Sequence, residues 1–143
     1  LGSPNAAVYV GSIPDVHNLW SVLKDNSSAL FIWAVFGICQ SMLANPLSTA
    51  PADVARRARV RQRIVDFNAQ LQTICRREFA ATCRDDRGAA FKTRFNATDV
   101  STLDYFHPSL AGQTKLAAVT WAAGYWGHSD KRAEPSDSAQ ERD

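Results

Sequence analysis

The chain has 143 residues, 45% hydrophobic and 21% charged, a globular composition within the size of one domain. Sixteen Lys and Arg against fourteen Asp and Glu leave a formal charge of +2, which excludes a protein built mainly to hold polyphosphate or another acidic surface. The longest apolar run, 29–36, has eight residues, whereas a bilayer crossing takes about 20, so no membrane span is expected. The start, Leu1-Gly2-Ser3-Pro4, has no basic-then-apolar leader pattern and is expected to be a mature terminus or an internal cut.

Val8, Tyr9 and Val10, ended by Gly11, Ser12 and Pro14, predict a short buried strand leading into a loop. Loop 12–15 then falls at the strand's carboxyl end, where open α/β sheets place their sites. Residues 17–23 predict a short helix. Residues 29–43 predict a longer one that stops before Pro46 and, being apolar nearly all round, is expected to be buried. Asn26-Ser27-Ser28 and Asn96-Ala97-Thr98 fit the glycosylation acceptor pattern, which is too common by chance to carry weight.

Residues 53–79 are strongly helical. Val60, Ile64, Phe67, Leu71 and Ile74 recur at intervals of 4, 3, 4 and 3, placing them on one stripe that is expected to pack on the sheet. The same helix carries Arg56, Arg57, Arg59, Arg61 and Arg63, a run that invites a nucleic-acid reading. At about 100° per residue, Arg59 and Arg61 fall on opposite flanks of the stripe. The five therefore make no groove-facing row; a solvated helix face is expected, with no nucleic-acid partner.

The three cysteines are Cys39, Cys75 and Cys83, and an odd count suggests a partner outside the chain or a free buried thiol. The eight-residue spacing of Cys75 and Cys83 suits a disulfide clipping a helix end to the segment after it, worth about 2.6 kcal/mol in the chain-entropy model. Such a bond implies export, hence a secreted, extracellular protein. The alternative is three reduced core cysteines in a cytosolic protein.

Further along, 84–88 is turn-like and Ala89-Ala90-Phe91 suggests a second short strand or an extended segment. Residues 98–107 hold few core residues and are expected to form a surface loop. Pro108 is expected as the first residue of a final helix running to about Ala123, with Leu110, Ala117 and Trp121 inward. The domain is set at 1–127, with a polar, disordered tail over 128–143. There is no internal repeat.

The chemistry concentrates in Asp104-Tyr105-Phe106-His107-Pro108. A carboxylate three residues before a histidine can fold back on one ring nitrogen and leave the other free to take a proton from a nucleophile. The alternatives are an Asp capping a turn and a solvent-exposed histidine. A metal site from Asp104, His107, His128 and Asp130 is set aside, because nothing fixes the second pair; no metal or other cofactor is expected.

The wider string from Asp99 to Gln113, with Asp104, His107-Pro108-Ser109 and Gly112-Gln113, resembles the last sequence block of the SGNH (GDSL) serine ester hydrolases. Its Asp-x-x-His-Pro element supplies the acid and base of a Ser-His-Asp triad in that family. Gly11-Ser12-Ile13-Pro14-Asp15 with Leu19-Trp20, and the Arg-rich helix with Phe67-Asn68 followed by Cys75 and Cys83, resemble the secreted, bacterial-type branch. The resemblance spans 114 residues, Val8 to Trp121.

It implies an esterase or lipase acting on an ester or lipid substrate, with Asp104 and His107 catalytic and with Tyr105 and Phe106 able to line the acyl or alcohol side. It implies a three-layer α/β/α, flavodoxin-like sandwich of about five parallel strands, of which two or three candidates are visible here. The family's Gly-Asp-Ser nucleophile element, oxyanion-hole glycine and Gly-x-Asn-Asp block are absent from the 143 residues; Gly2-Ser3-Pro4-Asn5 only mimics a fragment of them. The resemblance therefore implies the C-terminal half of the domain, with the N-terminal half elsewhere and bridged through Cys39. A non-catalytic remnant acting as a binding module, and an acyltransferase or carbohydrate deacetylase using the same triad, are the competing readings.

Overall fold

A computed structural model describes residues 6–78 and 82–127. The elements run β1 (Val8–Val10), α1 (Val16–Leu23), α2 (Ser27–Val35), α3 (Gln40–Leu43), α4 (Pro51–Glu78), β2 (Cys83–Asp85), α5 (Ala89–Lys92), a 3-10 turn (Ala97–Asp99) and α6 (Leu110–Ala123). β1 and β2 pair in parallel, Val8 opposite Cys83, Tyr9 opposite Arg84 and Val10 opposite Asp85. Parallel neighbours need a long crossover, which α1 to α4 supply. Side-chain alternation sends Tyr9 and Arg84 to one face, where they donate to the carbonyls of Thr120 (2.8 Å) and Gly124 (3.0 Å) at the end of α6. Cys83 and Asp85 point to the other face, where Cys75 and Arg76 of α4 meet them. The result is a mixed α/β arrangement with two strands among the described residues.

The main core lies beside this ribbon. Leu23, Ala29, Trp33, Met42, Leu43 and Val100 are buried together, so α1, α2, α3 and the start of the 100–108 loop share one interior. The predicted 29–43 helix is broken within it. Gly37 takes a left-handed φ of +61°, and the Ile38 N–H reaches back to the Trp33 carbonyl at 3.1 Å, the closure that ends helices when glycine follows the C-cap. Cys39 is also left-handed, at φ +40°, and α3 starts after it. Nor is the segment buried all round: Ala29 and Trp33 face inward, whereas Phe31, Val35 and Phe36 are exposed.

The two Asn-x-Ser/Thr tripeptides serve as helix starts. Asn26 Oδ1 accepts from the Ala29 N–H (3.0 Å), capping α2, and Asn96 forms a reciprocal capping box with Asp99. Both satisfy amide donors that a helix start leaves unpaired.

Helix α4 presents a different face from the one its apolar stripe predicts. Ile64 is buried, but Phe67, Leu71 and Ile74 are exposed. The ribbon side is fixed by polar and covalent ties instead: Asn68 exchanges two hydrogen bonds with the Ile13 backbone (2.8 and 3.0 Å), Gln72 and Arg76 bond Asp85, and Cys75 is linked to Cys83. The arginines divide as well. Arg59 and Arg63 are exposed, as a solvated face requires. Arg57, only 4% exposed, stacks on Trp20 at 4.6 Å and donates to the Ser48 carbonyl at 2.6 Å. Arg56 spans the carbonyls of Gln40, Ser41 and Ala44 at 3.1, 2.7 and 2.5 Å, joining the Ala44 N–H on Gln40 and filling acceptors at Ser41 and Ala44 that the end of α3 leaves open. Arg61 pairs with Asp15 at 3.0 Å.

Five other expectations are corrected. Val8 is exposed and Tyr9 and Val10 half-buried, so β1 is not a fully buried strand. Arg84 and Asp85 of the expected 84–88 turn belong to strand β2, and Ala89–Lys92 is a helix, because Gly88 at φ +77° turns the chain and Asp86 accepts from the Gly88 and Ala90 N–H groups (2.8 and 2.9 Å). Pro108 precedes the last helix, Ser109 being its N-cap. Leu110, Ala117 and Trp121 are exposed, since α6 turns Gly112 inward. No helix among the described residues is long and apolar enough to cross a membrane. The Gly2-to-Asn5 segment and the 128–143 tail, with His128 and Asp130, lie outside the described residues.

Cys75 and Cys83 form a disulfide, and Cys39 is a half-buried free thiol. Removing the link with Cys75→Ser/Cys83→Ser is expected to lower unfolding stability by about 2–3 kcal/mol. Chemical denaturation with and without reductant checks the magnitude, and non-reducing peptide mapping checks the pairing.

Candidate functional site

The Asp104–His107 segment is a closed turn rather than a free surface loop. Val100 and Pro108 form an antiparallel bridge at its base, the Ser101 N–H donates to the His107 carbonyl (2.8 Å), and the Ser109 N–H donates to the Asp99 carbonyl (2.8 Å). Below the base, Asp99 is buried and paired with Lys115 of α6. At the tip, Tyr105 adopts a left-handed φ of +55°, and its carbonyl accepts from the indole N–H of Trp33 at 3.0 Å. Trp33 is buried on α2, so the turn hangs from the core by an indole.

Asp104 uses its two oxygens differently. Oδ1 accepts from the Phe106 and His107 backbone N–H groups (2.9 and 3.0 Å), the local bonding by which Asp stabilises a turn. Oδ2 lies 2.5 Å from His107 Nδ1. Turn-capping and ring-holding are thus performed by one carboxylate. With Nδ1–H directed at Asp104, Nε2 of a neutral ring is the acceptor nitrogen, and it has no hydrogen-bond partner among the described residues. The His107 side chain is 72% exposed. Burial acts to raise the Asp104 pKa, but the His107 ring and the two backbone N–H bonds outweigh it and hold it below the ordinary aspartate value.

Beside this pair lies a cavity of about 280 Å³. Ile13, Pro14, Val16 and Leu19 form one wall, Phe95, Val100, Phe106 and Pro108 another, and His107 borders it. Loop 12–15 thus reaches the site from the carboxyl end of β1. The cavity is apolar, suited to a hydrocarbon group, with a proton acceptor at its edge. Both aromatic residues between Asp104 and His107 pack against the main core, and of the two only Phe106 also lines the cavity.

Sequence reasoning missed Trp33, and it named Gly112 only within the motif, without its packing role. A Cβ on Gly112 would stand 2.1 Å from the Asp99 carbonyl oxygen, so only glycine lets α6 approach the base of the turn. The indole contact has no sequence signal, whereas a glycine three residues after a helix-starting serine does hint at close packing. No three His, Cys, Asp or Glu side chains converge as a metal site among the described residues. Comparison with protein-family models, curated proteins and solved structures finds no match to this chain.

Two outcomes follow from this geometry. Gly112→Ala should destabilise the chain by about 1–3 kcal/mol or more, since neither backbone can yield freely; thermal or urea unfolding measures it. Asp104 should titrate below about 3.9, and His107→Ala should raise its midpoint by removing a bond to the charged form. As the folded value is depressed, the pair adds stability above the unfolded pKa and loses it as pH falls through the folded one. Carboxyl NMR titration of both proteins reads these shifts.

Proposed function

We propose that this chain carries the acid–base pair of a secreted serine ester hydrolase of SGNH type. Its nucleophilic serine and oxyanion-hole glycine and asparagine would stand on an N-terminal portion of the same domain. The observation that carries the reading is the Asp104–His107 hydrogen bond through Nδ1, on a ring that borders an apolar cavity. Supporting it are the parallel strand–crossover–strand unit, the exposed apolar positions Phe67, Leu71 and Ile74 on α4, and the Cys75–Cys83 disulfide, which favours an oxidising compartment. In this reading further parallel strands complete a three-layer α/β/α sandwich, and Cys39 bridges to the N-terminal portion.

The chemistry assigned to these residues is proton transfer. As a serine oxygen attacks the ester carbonyl, His107 Nε2 takes the hydroxyl proton, and the resulting imidazolium is stabilised by Asp104. Collapse of the tetrahedral intermediate breaks the bond to the alcohol oxygen, which receives that proton from Nε2. Water repeats the sequence on the acyl-enzyme, its proton passing to His107 and then to the serine oxygen. An apolar cavity beside the ring would hold the acyl chain and keep bulk water from it.

The test is kcat/KM on a short-chain ester, measured on the natural polypeptide that carries this chain. His107→Ala is expected to lower it by on the order of 10³-fold or more, and Asp104→Asn by a smaller factor. Residues 1–143 alone are expected to hydrolyse no ester above background. Wild-type rates in His107→Ala would overturn the hydrolase reading; His107-dependent turnover by residues 1–143 alone would overturn the division of the site.

A further inference from the structure

Asp15 is shared by two cavities. One is the apolar space beside His107; the other, about 510 Å³ and open, has Arg61, Arg94, His17 and Gln62 in its walls. The Asp15 side chain is 1% exposed and faces both guanidinium groups, Arg61 at 3.0 Å and Arg94 at 3.5 Å. It also accepts from the His17 N–H at 3.1 Å, as the cap of α1. One carboxylate thus meets two permanent cations, leaving the basin a net positive charge.

The groups around it do not cancel that charge. Burial lowers the His17 ring pKa, with Asp15 opposing and Arg61, Arg57 and Arg94 reinforcing the shift, so the ring is neutral at neutral pH. Asp66, hydrogen-bonded to Gln62 at 2.8 Å, keeps its charge but is exposed to solvent and does not line the basin. Arg61 lies over the Phe91 ring at 5.7 Å and is fixed from two sides. Arg94 is 69% exposed and touches Asp15 only at ion-pair distance, which leaves most of its five donors open to the cavity. A planar fork beside a pinned second guanidinium suits an oxyanion, which charge-assisted bonds hold more strongly than neutral ones.

We propose that the Arg61–Arg94 basin is an anionic-headgroup subsite, so that the ester processed at His107 is an amphiphile with an apolar acyl chain and a phosphate-class oxyanion on its alcohol half. The ester part of this inference rests on the hydrolase reading; the anion subsite does not.

The experiment is calorimetric binding to residues 1–143, with 1-octanoylglycerol 3-phosphate, 1-octanoylglycerol and inorganic phosphate as probes. The phosphate ester is expected to bind about tenfold or more tighter than the uncharged glyceride, the scale of one charge-assisted hydrogen bond. Arg94→Gln should remove most of that preference. Arg59→Gln, a change at an exposed arginine on the opposite flank of α4, should keep it. Inorganic phosphate should bind far more weakly than the phosphate ester; equal affinity would make the basin a free-phosphate site and overturn the headgroup assignment. Equal binding of the two glycerides, or an equal effect of both substitutions, would overturn the subsite. The binding assay needs no turnover, so loss of the hydrolase reading leaves a measured phosphate preference standing. His107-dependent hydrolysis without that preference removes only this inference.

Discussion

Two adjacent buried carboxylates at the end of β2 tie together the crossover helix, the loop leaving β1 and the start of α5. Asp85 accepts from Arg76 (2.8 and 3.1 Å), from Gln72 (3.1 Å) and from the Arg87 N–H (2.8 Å). Asp86 accepts from the Ser12 hydroxyl (2.7 Å) and from the Gly88 and Ala90 N–H groups (2.8 and 2.9 Å). Burial pushes both pKa values up, yet the donors prevail and both are held low. A buried charge is tolerated only when it is paired and hydrogen-bonded in this way. These bonds also fix Ser12, and with it the loop whose next residues wall the cavity.

The turn around Asp104 balances a strained backbone against several local bonds. A left-handed non-glycine residue such as Tyr105 costs on the order of 1 kcal/mol. The Trp33 indole holds its carbonyl, and Asp104 Oδ1 holds the two amides that follow. The other oxygen is then aimed at the ring without depending on a flexible side chain. Pre-orientation of this kind makes a histidine useful as a base, because the ring need not be ordered during the reaction.

Much of this was legible in the sequence, in proportion to how local the causes are. The Asp104 to His107 spacing, the eight-residue cysteine interval, the short helix around His17 and the β1 strand rest on neighbouring residues, and each has its counterpart in the structure. The break after Val35 was signalled by Gly37, but continuous apolarity masked the stop. The face of α4 was misjudged because five apolar residues at helical spacing outweighed Asn68, Gln72 and Arg76, whose partners lie at Ile13 and Asp85. The arginines divide for the same reason: periodicity places them on a cylinder, and only the tertiary fold supplies Trp20, Asp15 and the end of α3 as partners. In α6, which is apolar on several sides, the inward face is set by one close backbone approach at Gly112, which no hydrophobic pattern records.

The link between Cys75 and Cys83 spans eight positions and joins the end of the crossover helix to the strand that follows it. It makes the intervening peptide bonds topologically redundant. A protease cutting there would leave one covalent molecule, its fragments separating in mass only after reduction. The cysteine pair thus separates the continuity of the polypeptide from the continuity of the fold.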